Sequence, residues 1–307
     1  MGSLFGGLLS AAGHEVWLLE VWEAHVDAIN SDGLTMSFEG QERVVEPRAT
    51  RDAAEAGECD LVMVWCKSAD TEAALIGAKP MLGPETVVCT LQNGIGHVEV
   101  IESFVERSKL AYGITVTGAL MKGPAHIELT ESAWSGGGDT VVGARDERGM
   151  EAAELVAETL VGAGIAARTS ADVDVAVWKK LATACPMAPL VAITRLRIGD
   201  VNDSDEMHEL LAALCDEVVA VAQAEGVPLD ATETREEAFS VWRAVATHVS
   251  SMGQDVLAGR RTEIDSLSGA IAERGRRHGV ETPRNDMSAR LVRLVERHFD
   301  DRLDAVR

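Results

Sequence analysis

Two strand-length runs that are apolar through their centres, Asp60–Cys66 (DLVMVWC) and Thr86–Leu91 (TVVCTL), constrain this chain most. A strand without an alternating polar face has none to give to water, so it must be covered on both sides. A helical stretch follows each run, Thr71–Gly77 after the first and Val98–Phe104 after the second. The same alternation is read on either side. Before them come a helix Leu4–Ala12, a turn at Gly13-His14, a strand Glu15–Glu20, a helix Trp22–Asn30 and a polar hairpin around Leu34–Val45; after them comes a strand Ala111–Thr117. This order predicts a parallel sheet with helices on both faces. The segment His126–Ala144 supplies HIELT and DTVVGA, joined through SGGG, and is expected as an antiparallel extension of that sheet.

The character changes at Asp172. Ala176–Ala192, Glu206–Glu225, Glu233–Val249 and Thr262–His278 have helical length and helical apolar spacing, punctuated by Pro228 and Pro283. At 307 residues about two domains are expected. The expectation is a Rossmann-type α/β N-terminal domain over residues 1–168 and an all-α C-terminal domain over 172–307, with a polar tail fraying beyond Asp300.

Fifty acidic against 28 basic residues leave a net charge of −22, which argues against nucleic acid or an anionic membrane surface as a partner. No apolar run reaches the length of a membrane span, and no basic segment with a cleavage site heads the sequence. The five cysteines (Cys59, Cys66, Cys89, Cys185, Cys215) form no C-x-x-C pair, and no His/Cys group has metal-ligand spacing, so a reducing cytoplasm and no metal are expected.

In open parallel sheets, ligands sit outside the carboxyl ends of the strands. Lys67 directly follows the first buried run, and Asn93, in Gln92-Asn93-Gly94, follows the second. The opening MGSLFGGLLSAAGHEVWLLE looks like the back half of a dinucleotide-binding βαβ unit, with Gly2 as the third glycine of G-x-G-x-x-G. A strand and two glycines would precede Met1 in a complete unit, so the sequence is read as lacking that first strand. The expectation is that it starts late, since a sheet without its central strand would have a gap in its core, and the alternative is that the strand has been lost. In such a unit the glycines let the backbone approach a pyrophosphate, held at the positive end of the helix dipole.

Further motifs in order along the chain are GHEVWLLE, WCKSADT, LQNGIG, VWKKLATACPMAPLVAIT (Val177–Thr194), SSMGQDVLAGRRTEID (Ser250–Asp265) and HGVETPRN (His278–Asn285). Together these resemble the ketopantoate reductase (2-dehydropantoate 2-reductase) family almost end to end. The resemblance implies a cytoplasmic, homodimeric oxidoreductase that reduces a 2-keto acid to a 2-hydroxy acid with NADP or NAD, the type of step used in pantothenate biosynthesis. On the W-x-K pattern Lys180 matches the proton donor, and Lys179 takes the variable place. Hydride arriving at a carbonyl carbon leaves an alkoxide, which a nearby ammonium stabilises and protonates. Ser251 matches a substrate-binding serine. Glu263 matches a glutamate at the junction of substrate and cofactor. Lys67, Asn93 and Ala119 match cofactor contacts, as does Gly2.

Two departures qualify the match. Where the family has asparagines that hold the keto acid's polar groups, this sequence has Ala184 and Ala188, and a third asparagine corresponds to Ile198. A site that loses such hydrogen bonds loses discrimination for a hydroxylated substrate. A more apolar 2-keto acid is therefore expected in place of ketopantoate. Glu20 stands near the end of the second strand, where the family usually has an arginine. A carboxylate there accepts from a ribose 2′-OH and repels a 2′-phosphate, which favours NAD over the family's NADP. Two alternatives remain open. One is another hydroxy-acid dehydrogenase with the same two-domain plan, such as a 3-hydroxy acid dehydrogenase. The other is a non-catalytic nucleotide or ligand sensor on this fold. Retention of Lys180, Ser251 and Glu263 argues against the second.

Overall fold

The computed structural model describes residues 1–135 and 139–300. It divides into two compact units, residues 1–92 with 98–173, and residues 93–97 with 174 onward. Most of the SGGG connection and the tail beyond Asp300 lie outside the described residues.

In chain order the α/β part runs α1 (Gly2–Ala11), β1 (Trp17–Leu19), α2 (Glu23–Asp32), β2 (Leu34–Phe38), β3 (Gln41–Val45), β4 (Arg48–Thr50), α3 (Ala53–Ala56), β5 (Leu61–Val64), α4 (Thr71–Gly77), β6 (Val87–Thr90), α5 (His97–Ile101), β7 (Leu110–Thr115), β8 (Ala119–Gly123), β9 (His126–Leu129), α6 (Glu131–Ser135), β10 (Thr140–Gly143), α7 (Met150–Gly162) and β11 (Ala167–Thr169). The strands form three sheets: β1-β4, β11-β10-β7-β6-β5 and β3-β2-β9-β8. In the five-stranded sheet β5, β6 and β7 are mutually parallel, while β10 runs antiparallel to β7.

The expectation that all of His126–Ala144 extends the main sheet holds only for its second strand. β10 does so, whereas β9 pairs parallel with β2 and antiparallel with β8 in the four-stranded sheet. The residues explain the split. TVVG is buried at every position, as a strand covered on both faces must be. HIEL is buried only at alternate positions, the mark of a sheet with one covered face.

Helix α1 packs closely because Gly6 and Gly7 lack side chains. A Cβ on Gly6 would lie 2.6 Å from Leu18 Cδ2, and one on Gly7 would lie 2.7 Å from Met36 Sδ. Gly2 has ordinary room: a Cβ there would lie 3.7 Å from Trp65 Cβ. Leu4 and Phe5, both fully buried, then reach the core with Met36, Cys89 and Val142.

The helical part comprises α8 (Val173–Thr194), α9 (Ile198–Val201), α10 (Asp205–Ala224), α11 (Ala231–Ala244), α12 (Ser251–Leu257), α13 (Ser268–His278) and α14 (Pro283–Arg297). Two predicted helices are shorter than their spacing suggests. The stretch Thr262–His278 becomes helical only at Ser268. The Thr262 hydroxyl takes the Ile264 amide at 3.1 Å, and Thr262 N–H donates to Glu296 at 2.6 Å, so side chains compete for the amides a helix would use. The stretch Glu233–Val249 stops at Ala244. Beyond it the carbonyls of Ala246 and His248 accept from Gly199 and Ile198, which turns the chain toward α9.

The HGVETPRN motif has a structural role. Glu217 of α10, only 6% exposed, accepts from the backbone amides of Arg284 and Asn285 at 3.0 and 2.9 Å. A buried carboxylate thus caps the start of α14, where the helix dipole favours negative charge. Among the described residues no helix is long and apolar enough to cross a membrane.

Candidate active site

In the first unit, Val64 pairs with Thr90, so β5 and β6 end side by side at one sheet edge. Gln92 secures the two chain ends that leave there. Its amide donates to the Cys66 carbonyl at 2.6 Å and to Thr71 Oγ1 at 3.1 Å, and its carbonyl oxygen accepts from Thr90 Oγ1 at 2.8 Å. Gln92 is buried, so removing it would leave these partners unsatisfied at a cost of about 1–3 kcal/mol. Lys67 leaves this edge half-buried, next to Cys66. Glu20 follows β1, and its Oε1 accepts from the amides of Val21 at 2.7 Å and Trp22 at 3.1 Å. Both bonds go to one oxygen, which fixes the carboxylate at the entrance to α2.

In the second unit, Asn93 donates from Nδ2 to Glu263 Oε2 at 3.3 Å. The backbone repeats the contact, since Ile95 N–H donates to the Ser266 carbonyl at 3.0 Å. Gly94 between them has φ +90, and a Cβ there would lie 2.4 Å from the Ser266 oxygen. The Asn-Gly pair is thus more than a turn: its glycine is what lets the segment lie against the Glu263–Ser266 turn.

Lys180 belongs to α8, and burial depresses its ammonium to about 8. Glu263 opposes that fall through its negative charge. The adjacent Lys179 behaves oppositely. It is bound to Glu237 at 2.8 Å and Glu233 at 2.9 Å, both on α11, and those bonds raise its ionisation. One residue along a helix turns the side chain by about 100°, so neighbouring lysines meet different surroundings.

Ala184 and Ala188 lie one and two turns along α8 from Lys180, on the same face. Ala184 is half-buried and Ala188 is 7% exposed, so methyl groups stand where amides were absent from the sequence pattern. Ser251 is exposed at the first position of α12, while its neighbour Ser250 is the cap, accepting from Gly253 N–H at 3.1 Å. Ile198 opens α9, outside the helix that carries Lys180, Ala184 and Ala188. It is buried at 7% in a cluster with Met187, Val191 and Trp242. Ala119 begins β8 in the first unit, opposite Leu129 and packed against the core. The structure therefore brings together Asn93, Glu263 and Lys180, and sets Ser251 on its own short helix. The role of Gln92 and Ser266 was not read from the sequence, although QNG and TEIDS contain them.

A dinucleotide-type α/β unit and a helical unit carrying a depressed lysine beside a glutamate define an NAD(P)-dependent oxidoreductase of the two-domain class. The family models agree: residues 1–147 match "Ketopantoate reductase PanE/ApbA" and residues 172–296 match its C-terminal domain. The chain belongs to the ketopantoate reductase family. It is 31% identical over 297 residues to a 2-dehydropantoate 2-reductase of Streptococcus pyogenes, covering 96% of this chain and 95% of the relative. It is 32% identical over 302 residues to that of Halobacterium salinarum, covering 97% and 96%. Among solved structures, D-mandelate dehydrogenase with NADH and anilino(oxo)acetate superposes with TM-score 0.91 at 29% identity, covering 98% of this chain and 96% of that one. A PanE/ApbA family ketopantoate reductase from Ralstonia eutropha gives TM-score 0.86 at 31% identity, covering 96% and 95%.

Replacing Gly94→Ala should separate Asn93 from Glu263, because the new Cβ meets a backbone oxygen and the residue must hold a positive φ. A strain of about 1–3 kcal/mol is expected. Reductase activity should fall at least tenfold while the far-ultraviolet circular dichroism stays native. Unchanged activity would show that the Asn93–Glu263 contact is dispensable.

Proposed function

We propose that this protein reduces a 2-keto acid with an apolar side chain, aryl or branched alkyl, to the 2-hydroxy acid, and prefers NADH. The observation that carries the reading is Lys180, whose depressed ammonium stands near Glu263 at the position the family's W-x-K pattern assigns to the proton donor. An acid titrating near 8 is still mostly protonated at neutral pH, yet gives up its proton far more readily than an ordinary lysine. Lys180 holds the keto oxygen by a charge-assisted hydrogen bond and delivers its proton there as negative charge develops. Glu263 keeps the ammonium charged and, held by Asn93, keeps it in place. Ser251 donates its hydroxyl to the substrate carboxylate. Ala184 and Ala188 present methyl groups to the substrate side chain and offer no hydrogen bond to a hydroxyl.

The residues present fit a nicotinamide dinucleotide. The first turn of α1 carries no acidic residue and no side-chain cap, which leaves its amides for an anion near Gly2. Glu20, whose Oε1 alone takes the local amides, accepts from an adenosine ribose hydroxyl, while Lys67, Asn93 and Ala119 flank the rest of the molecule. When bound, the nicotinamide supplies the hydride. D-mandelate dehydrogenase, solved with NADH and an oxoacetate bearing an aromatic group, supports both the cofactor and the substrate class. Free thiols and a charge of −22 fit a cytoplasmic protein that binds small molecules and no nucleic acid, and the family resemblance supports a homodimer.

Lys180→Ala should lower kcat for keto acid reduction at least about 10²-fold. Lys179→Ala should change it little. Reduction needs the protonated lysine, so the rate should fall as pH rises through about 8. Glu263→Gln removes the charge that raises this ionisation, and should move the fall to lower pH. Equal losses in the two lysine variants would refute the assignment of Lys180.

A substrate panel provides the second test. Phenylglyoxylate and branched 2-keto acids should exceed ketopantoate in kcat/KM. Ala184→Asn should narrow the gap by about 1–2 kcal/mol if one neutral hydrogen bond is recovered. Ketopantoate ahead of all others in the unmodified protein would defeat the substrate proposal.

The third test is cofactor choice, read by titration with NADH and NADPH at fixed ionic strength. NADH should bind more tightly, and Glu20→Arg should reverse the order. Tighter NADPH binding by the unmodified protein would remove Glu20 from the ribose.

A further inference from the structure

Helix α8 carries Lys180 and also two interior prolines, Pro186 and Pro189. A proline has no amide hydrogen, so Pro189 cannot donate to the carbonyl four residues back, that of Cys185. That carbonyl lies in the core, where Cys185 is fully buried, and a buried acceptor without a donor is costly. A side chain from elsewhere supplies the donor. Ser268, itself fully buried at the start of α13, donates its hydroxyl to the Cys185 oxygen at 3.3 Å. Trp242 Nε1 also donates to a carbonyl of α8, that of Thr183 at 3.0 Å, although the residue four further on there, Met187, keeps its amide.

The position of Ser268 gives the bond a consequence for the site. It follows directly on the turn that contains Glu263 and Ser266. One strip of chain, residues 263–268, therefore takes Asn93 and Ile95 at one end and α8 at the other. Cys185 is five residues beyond Lys180, little more than one helical turn. We propose that Ser268 is a positioning residue: its hydroxyl replaces the amide that Pro189 lacks and keeps the Lys180 segment of α8 in register with the Glu263 turn. This rests on the reading of Lys180 as the acid. The same hydroxyl also bonds the Cys185 thiol, which burial holds in its protonated form by pushing its pKa up. A test must therefore separate carbonyl from thiol.

The experiment is a double-mutant cycle between Ser268 and Pro189, read by kinetics and by the NMR titration of Lys180 in the isotopically labelled protein. Ser268→Ala should lower kcat about tenfold, the worth of one hydrogen bond, with the cofactor KM unchanged and the Lys180 titration displaced. Ser268→Thr, which keeps the hydroxyl, should retain most of kcat. Pro189→Ala restores an amide to α8 and should leave kcat near that of the unmodified protein. In the double variant the new amide serves Cys185, so kcat should return to within about twofold of Pro189→Ala alone. Cys185→Ala keeps the carbonyl and should leave the effect of Ser268→Ala intact. A double variant as impaired as Ser268→Ala, or a Ser268→Ala variant with unchanged kcat and Lys180 titration, would overturn the proposal. If Lys180→Ala were fully active, the acid assignment would fail. The coupling of Ser268 to Pro189 would still be read in the Lys180 titration of the unmodified lysine background.

Discussion

The turn from Arg260 to Ser268 is the part on which the candidate site depends, and it is held by contacts on every side. Arg260 bonds Asp255 of α12 at 3.0 Å, Thr262 N–H bonds Glu296 of α14 at 2.6 Å, and Asp265 bonds Arg293 of α14 at 2.7 Å. A turn has no ladder of its own hydrogen bonds, so its shape must come from such partners. Glu263 is held in place because the residues around it are tied to two helices, α12 and α14. The close approach of Gly94 to Ser266 then permits no side chain at all.

Electrostatics in the second unit are decided by local surroundings and not by the net charge of the chain. A surplus of 22 negative charges, acting alone, would make every lysine hold its proton more tightly than usual. Lys179 does so, because two glutamates bond it directly. Lys180, its neighbour, does the reverse, because the loss of water around its ammonium outweighs the pull of Glu263. Distant surface charges are screened over about 8–10 Å at ordinary ionic strength. Two adjacent residues of one type thus end with opposite shifts, set by which face of α8 each occupies.

Much of the fold was legible from burial patterns. DLVMVWC and TVVCTL announced central strands, and the helical spacing beyond Asp172 announced the second part. HIEL against TVVG even contained the split between two sheets, in alternating against continuous apolarity. Helix ends were less legible. Thr262 and the residues after Ala244 have acceptable helical spacing, and only partners distant in sequence, Glu296 and Gly199, draw their amides and carbonyls away.

The sequence by itself determined the family, the strand–helix alternation around the two central strands, the helical character beyond Asp172, and the placing of Lys180, Ala184 and Ala188 on one helix, because these depend on residue type and spacing along one helix or motif. Tertiary structure alone decided that Ile198 belongs to the core, that Lys179 is tied off by α11, that Asn93 meets Glu263 across 170 residues, and that Ser268 answers the carbonyl left open by Pro189. These are pairings between groups far apart in the chain. A hydrogen bond depends on distance and direction in space, and neither is written in the spacing of residues along the sequence.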